Sequence, residues 1–380
     1  MPTVMLVAGT RPNFMKIKPV LDALVRRSAR VELVHAGQHY DHAMSDVFFD
    51  DLGLRPPDWH LGSGSGSVAE QTARIMSGFE PVLADVSPDA VVVVGDVTAT
   101  LACALVTAHA GPVLAHVEAG LRSRDWTMPE EVNRVVVDRL SDLLFAPSSD
   151  AVDNLRQEGY HPHQIHLTGN VMVDTLLANL ARARESDVLA RHGLTAGEFG
   201  LVTLHRPANV DDPATLGALM AAMGEVASML PLVMTVHPRT AQRLASSGTP
   251  AGLRLLPPAG YLDFLGLQAA ARMVLTDSGG VQEETTVLGV PCLTLRENTE
   301  RPITIEQGTN VLVGRDPQRI VTVAKEVMHA PPPGRCPSLW DGRAADRIAD
   351  VLLEHLRTGN RPRPTELTVT APTRAARRRV

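Results

Sequence analysis

Short apolar, β-rich runs alternate with longer segments of helical period along this chain, and the series restarts halfway. In the first half the runs fall at 4–8, 31–36, 90–95, 113–117, 143–146 and 165–168. In the second they fall at 201–204, 232–236, 253–256, 273–276, 292–295 and 311–313. Such alternation predicts a parallel sheet with helices on both faces, because joining two parallel strands takes a crossover long enough to form a helix. The restart predicts two doubly wound α/β domains, and 380 residues are enough to give each a core. Ligands of such sheets bind at the carboxyl ends of the strands, so the cleft between the domains is the expected site.

The predicted boundaries are 1–170 for an N-terminal domain and 171–335 for a C-terminal one. A final amphipathic stretch at 336–358, after the break Pro331-Pro332-Pro333-Gly334, is expected to form a helix packing back towards the first domain. Residues 359–380 read as a disordered basic tail, since 361–380 hold six Arg against one Glu and no apolar period.

The balance of 36 basic and 42 acidic residues, 36 − 42 = −6, disfavours nucleic acid or an anionic membrane as partner. Basic residues that bind an anion must therefore act locally. The three cysteines, Cys103, Cys292 and Cys336, have no disulfide or zinc-like spacing, which fits a reducing compartment. The N-terminus reads as a first strand, no run reaches transmembrane length, and a cytoplasmic location is expected.

Four constellations carry chemistry. Gly9-Thr10-Arg11-Pro12 joins a strand to a helix, and Arg11 with Lys16 would add full charges to the anion-binding helix N-terminus. Either residue alone reads equally as a solvated base. At Asp277-Ser278-Gly279-Gly280, before a second helix, adjacent glycines let a phosphate approach the backbone and a carboxylate one turn on can accept ribose hydroxyls. The bland alternative there is an ordinary capped helix start. Asp96, Glu118 and Glu130 come after predicted strands, and converging carboxylates suit general acid–base work near neutrality. His205-Arg206 and His237 come after strands of the second half, where they could stabilise a leaving group. No Gly-x-Gly-x-x-Gly run and no metal-ligand spacing occurs, so neither a dinucleotide cofactor nor a metal is expected.

Together with His116-Val117-Glu118-Ala119-Gly120-Leu121-Arg122, Pro129-Glu130-Glu131-x-Asn133-Arg134, Thr168-Gly169-Asn170 and Thr299-Glu300-Arg301-Pro302, these motifs resemble the bacterial non-hydrolysing UDP-N-acetylglucosamine 2-epimerases. The resemblance extends in order from residue 9 to about 314. It implies a glycosyltransferase-B-like pair of Rossmann-like domains, a homodimer, a UDP-sugar in the interdomain cleft and no cofactor. By motif it implies Arg11, Phe264, Ser278, Gly279, Gly280, Glu284 and Arg301 around the nucleotide, with Lys16, Asp96, Glu118, Glu130 and His205 as the catalytic set. Gln38, His39, Arg74, Arg206 and His237 match an activator site for a second UDP-sugar in some members. Here the chain departs from the pattern, with Ala208 where such members carry Glu and Tyr40-Asp41 where many carry Arg-Glu.

The implied activity is C2 epimerisation of UDP-N-acetylglucosamine to UDP-N-acetylmannosamine through loss of UDP, a 2-acetamidoglucal and re-addition. Four other readings stay open: a 2-epimerase of a related UDP-diacetamido sugar, a hydrolysing 2-epimerase, a retaining glycosyltransferase of the same architecture, and a non-catalytic sugar-nucleotide sensor. Which of Asp96, Glu118 and Glu130 is base and which is acid is left open by the sequence.

Overall fold

The computed structural model describes residues 1–37, 51–62, 64, 66–236, 244 and 248–359, with the backbone alone at Arg11. The first half runs β1 (Thr3–Ala8), α1 (Arg11–Arg26), β2 (Arg30–His35), β3 (Trp59–His60), α2 (Val68–Val86), β4 (Ala90–Val94), α3 (Thr98–Ala110), β5 (Val113–Val117), α4 (Pro129–Leu140), β6 (Leu143–Ala146), α5 (Ser149–Gln157) and β7 (Ile165–Leu167). After α6 (Val171–Glu185) and α7 (Val188–Arg191) come β8 (Gly200–Thr203), α8 (Pro207–Val210), α9 (Pro213–Ala227), β9 (Leu232–Thr235) and β10 (Leu253–Leu256). The chain continues through α10 (Tyr261–Ala270), β11 (Met273–Thr276), α11 (Gly279–Leu288), β12 (Cys292–Thr294), α12 (Ile303–Glu306), β13 (Asn310–Leu312), α13 (Pro317–His329) and α14 (Ala344–Thr358).

These strands form two sheets, ordered β3-β2-β1-β4-β5-β6-β7 and β10-β9-β8-β11-β12-β13. Every pairing among them is parallel. The two-domain, doubly wound α/β fold is thus present. In each half the first strand lies between its second and fourth, so the connections leave β1 and β4, and likewise β8 and β11, in opposite directions and open a crevice beyond their carboxyl ends.

Burial on both faces explains the run-like strands. In β1, Val4, Leu6 and Ala8 join one apolar cluster while Met5 and Val7 join the opposite one. Strand β4, Ala-Val-Val-Val-Val, is buried throughout, as a central parallel strand requires. The expected runs at 90–95 and 292–295 overshoot their strands by one residue. Gly95 has φ 67°, which ends the strand and turns the chain into the cleft. The two-residue β3 was not expected, because so short a strand carries no period.

Helix α14 lies on α1, where Arg27 bonds Asp346 at 2.8 Å and Asp350 at 2.6 Å. Asp174 of α6 accepts hydrogen bonds from the Ala344 and Ala345 amides at 3.1 and 2.7 Å, so α6 caps α14. Ile348, Ala349 and Leu352 then enter the same core cluster as Val171, Leu176 and Leu265. No helix among the described residues is long and apolar enough to cross a membrane.

Candidate active site

The first-sheet side of the cleft is built by loops leaving β1, β4 and β5. Asn13 organises the β1–α1 turn: its Oδ1 accepts the Gly9 and Thr10 amides at 3.2 and 2.9 Å, and its Nδ2 donates to Val94 O at 3.2 Å. This puts Lys16, one turn into α1, against the ends of β4 and β5. Its Nζ pairs with Glu118 Oε2, and both side chains are buried. Glu118 adopts φ 72°, a left-handed conformation uncommon for a side-chain-bearing residue.

The surrounding motif explains how that conformation is held. His116 Nδ1 lies 2.6 Å from Asp138 Oδ1, and Asp138 Oδ2 accepts the Gly120 amide at 3.0 Å and pairs with Arg122 at 2.7 Å. His116 Nε2 lies 2.9 Å from Gly95 O, which ties the Glu118 loop to the Asp96 loop. His116, Gly120 and Arg122 therefore shape the loop that presents Glu118.

Asp96 is aimed by α4. Arg134 Nε donates to Asp96 Oδ2 at 3.1 Å, and Asn133 Nδ2 donates to Asp96 O at 2.8 Å. Burial raises the Asp96 carboxyl, but Arg134, Lys16 and Arg301 together outweigh that and hold it below the usual carboxylate range. The two glutamates of α4 divide their work. Glu131 is buried and accepts from Ser123 N at 2.9 Å and Arg124 N at 2.8 Å, anchoring the preceding loop. Glu130 is half-buried and lines a 290 Å³ cavity with Thr10, Asp96 and Asn133. It also lines a 530 Å³ cavity between the halves, with His205, Arg206 and Arg296 opposite.

On the second-sheet side, Asp277 at the end of β11 organises the loop after β8. It accepts the His205 and Arg206 amides at 3.1 and 3.0 Å and Asn209 Nδ2 at 3.0 Å, and lies 2.8 Å from His205 Nδ1. The His205 side chain remains 60% exposed and faces the cleft from an oriented ring. Ser278 begins α11, and its amide donates to Thr276 Oγ1 at 3.0 Å. Arg301 packs against that helix start, so closely that a side chain at Gly279 would meet its Nη1 at 2.4 Å. Arg301 Nε lies 2.7 Å from Glu283 Oε1, and its Nη1 pairs with Glu300. Glu300 also pairs with Arg296 at 2.8 Å. Burial raises Glu300, but Arg301, Arg296 and Arg134 hold it far below the usual range. Glu284 accepts from Gln268 Nε2 at 2.7 Å, while burial pushes its carboxyl up to about 7.

Residues 22–353 match the UDP-N-acetylglucosamine 2-epimerase family along most of the chain. The chain belongs to that family. Among curated proteins, it is 39% identical over 334 residues to UDP-N-acetylglucosamine 2-epimerase of Methanococcus maripaludis, covering 85% of this chain and 91% of that one. It is 37% identical over 353 residues to UDP-2,3-diacetamido-2,3-dideoxy-D-glucuronate 2-epimerase of Pseudomonas aeruginosa, covering 92% and 99%. Among solved structures, it superposes with a TM-score of 0.86 and 39% identity on Methanocaldococcus jannaschii UDP-GlcNAc 2-epimerase in complex with UDP-GlcNAc and UDP, covering 93% and 99%.

Of the epimerase-family residues singled out in the sequence, Asp96, Glu130, His205 and Arg206 line the two cavities, Lys16 pairs with Glu118, and Ser278, Gly279 and Gly280 form the start of α11, with Arg301 packed against Gly279. Phe264 of α10 is half-buried against an apolar cluster with Phe199, Val274 and Val281. Arg74 lies in the first turns of α2 beside Glu70. Gln38, His39 and His237, the Tyr40-Asp41 pair, the tail from 360 onward and the side chain of Arg11 lie outside the described residues. Sequence reasoning assigned no role to Arg134, Asp138, Asp277, Glu283 or Arg296. Arg134 had a signal, since the i, i+3 spacing from Glu131 puts both on one helix face. Arg296 pairs with Glu300 four residues on in the same loop, while Asp138, Asp277 and Glu283 take their partners from elsewhere in the chain.

Proposed function

We propose that this chain inverts carbon 2 of UDP-N-acetylglucosamine by elimination and re-addition of UDP. The reading is supported by Asp96 and Glu130 lining one cavity and Glu130 lining a second with His205, while Arg301, packed beside Gly279, acts electrostatically on both Glu118 and Asp96. A C2–H bond with no adjacent carbonyl resists direct deprotonation. In the proposed first half-reaction, the C1–O bond breaks with its electron pair leaving on the β-phosphate, and the C2 proton passes to a carboxylate. A 2-acetamidoglucal with a C1=C2 bond remains. Protonation of C2 from the other face and attack of the phosphate oxygen on C1 give the epimer.

The second side suits the leaving group: unpaired amides at a helix start, a buried guanidinium and an oriented imidazole stabilise the charge that develops on UDP. The first side suits proton transfer, with carboxyls supplied from two loops and the first turn of α4. A C6 carboxylate on the sugar is a second reading, supported by the similarity to the diacetamido-glucuronate epimerase and by Arg206, Arg296 and Arg315 lining the larger cavity.

The test is turnover in D2O followed by proton NMR with UDP-N-acetylglucosamine and, separately, a UDP-2-acetamido-uronate. Epimerised product should carry deuterium at C2. Asp96→Asn, Glu118→Gln and Glu130→Gln should each lower kcat by about 10²–10⁴-fold with UDP binding retained. Free N-acetylmannosamine as the product would point to hydrolysis, glycoside formation to a transferase, and unslowed variants would sink the acid–base assignment.

A further inference from the structure

Glu283, a buried carboxyl of the second half, lies within electrostatic reach of Glu118, the first-half carboxyl that pairs with Lys16. Glu283 is 1% exposed, and its Oε2 has no hydrogen-bond partner among the described residues. Across the cleft, Glu118 is 4% exposed and its Oε1 likewise has none. The two carboxyls are close enough to act on one another electrostatically, and Lys16 acts on both. The charged groups facing Glu283 are Arg301 from the loop before α12, Glu118 from the end of β5, Lys16 from α1, and Glu284 from the next position of α11.

The cations are unequally shared. Lys16 pairs with Glu118, and Glu300 is served by both Arg296 and Arg301. Among the described residues, Glu283 pairs with only the Nε side of Arg301, whose Nη1 is already committed to Glu300. Two buried carboxylates within electrostatic reach of one another resist ionising together without a full complement of cations, and the less compensated one keeps the proton. Burial accordingly pushes Glu283 well above the ordinary carboxylate range, with Glu118 adding to the rise and Arg301 opposing it.

We propose that Glu283 is a positioning residue for proton transfer, holding a proton on its own side of the cleft so that Glu118 meets a neutral carboxyl and keeps Lys16 to itself. The proposal rests on the epimerase reading above. When Glu283 loses its proton to solvent, a second anion faces Glu118 and competes for Lys16, and the geometry that serves C2 is disturbed.

The experiment is the pH profile of kcat for UDP-N-acetylglucosamine epimerisation by the full chain, from about pH 5.5 to 9, in wild type, Glu283→Gln and Glu283→Asp. Wild type should lose rate on the alkaline side. Glu283→Gln cannot ionise, so its ratio of alkaline to acid kcat should exceed that of wild type by about fivefold or more. Glu283→Asp should keep an alkaline limb with a moved midpoint, because the shorter side chain draws the carboxyl off Arg301. A loss of packing alone would lower kcat without changing the shape of the profile. A Glu283→Gln profile superimposable on wild type overturns the proposal. If that variant fails to fold, a flat wild-type profile or an unmoved Glu283→Asp midpoint overturns it as well. Absence of wild-type turnover at every pH is a different result: it removes the epimerase reading and the proposal with it.

Discussion

Arg134 shows how one side chain sets the charge state of a site. It is 2% exposed, donates to Asp96, and pairs with Glu131 through its Nη1. Removing its charge while keeping its bulk takes the paired guanidinium from both carboxylates, one of them fully buried. Arg134→Met should therefore cost about 3–5 kcal/mol in urea unfolding, the range for breaking a buried pair by removing one partner. It should also slow turnover, because Asp96 loses the guanidinium that holds its carboxyl low and in place. A loss of less than about 1 kcal/mol would mean that the pairs are solvated and weak. Asp277 acts the same way on the other side, converting an exposed histidine into an oriented one through amide and imidazole contacts.

At the level of elements, the site depends on where helices begin. α1 begins at the Asn13-braced turn that brings Lys16 to Glu118, and α11 begins at the Ser278-Gly279-Gly280 run beside Arg301. Close approach limits what those segments can contain. At Gly120, φ is 82° and a Cβ would lie 2.3 Å from Ala151 O, so the loop presenting Glu118 fits against α5 only as glycine. The start of α14 depends on Asp174, whose carboxyl is pushed up to about 6 by burial against the opposing amide bonds of Ala345 and Ala344. Asp174→Ala should destabilise the protein by about 1–2 kcal/mol, the usual cost of a lost helix cap. Hydrogen exchange should rise selectively in the first turns of α14. Unchanged exchange there would show that α14 is held by its apolar face and the Arg27 pairs alone.

For the whole molecule, buried carboxyls of opposite behaviour set the pH range of stability. Glu284 is pushed up to about 7 from an ordinary 4.5 by burial, so the folded protein binds more protons than the unfolded chain between those values. Its stabilising contribution is complete below about 4.5 and is lost as pH rises through about 7. Glu300 is held low, and its contribution is present above its unfolded value and lost as pH falls through its folded one. Stability should peak between the two effects. Glu284→Gln mimics the protonated state, so its stability relative to wild type should grow by roughly 2–3 kcal/mol between about pH 4.5 and 8. Denaturant titrations at several pH values read this directly, and a constant difference between the two proteins would show that Glu284 does not ionise over that range.

The sequence by itself determined the class of fold, the repetition of its two halves and most of the residues that surround the cleft. Strand periodicity and the glycine, proline and carboxylate motifs at strand ends are local signals: the alternation of residues and the identity of those just past a strand are legible without knowing which segments pack together. Lys16 read as an anion ligand at a helix start, and only the folded chain pairs it with Glu118, 102 residues away. Glu130 and Glu131 look alike in sequence, and the turn of α4 sends one towards the cavities and the other into the loop anchored by Ser123 and Arg124. Asp138 carried no recognisable signal and Asp277 only its place in a motif read as a phosphate site, because their work is to hold loops that arrive from other strands. The tertiary structure decided which carboxyls share a cation and which do not, since that depends on distance and exclusion of water between segments far apart in the chain. That unequal sharing is what separates Glu283 from Glu300, two buried glutamates served by the same arginine.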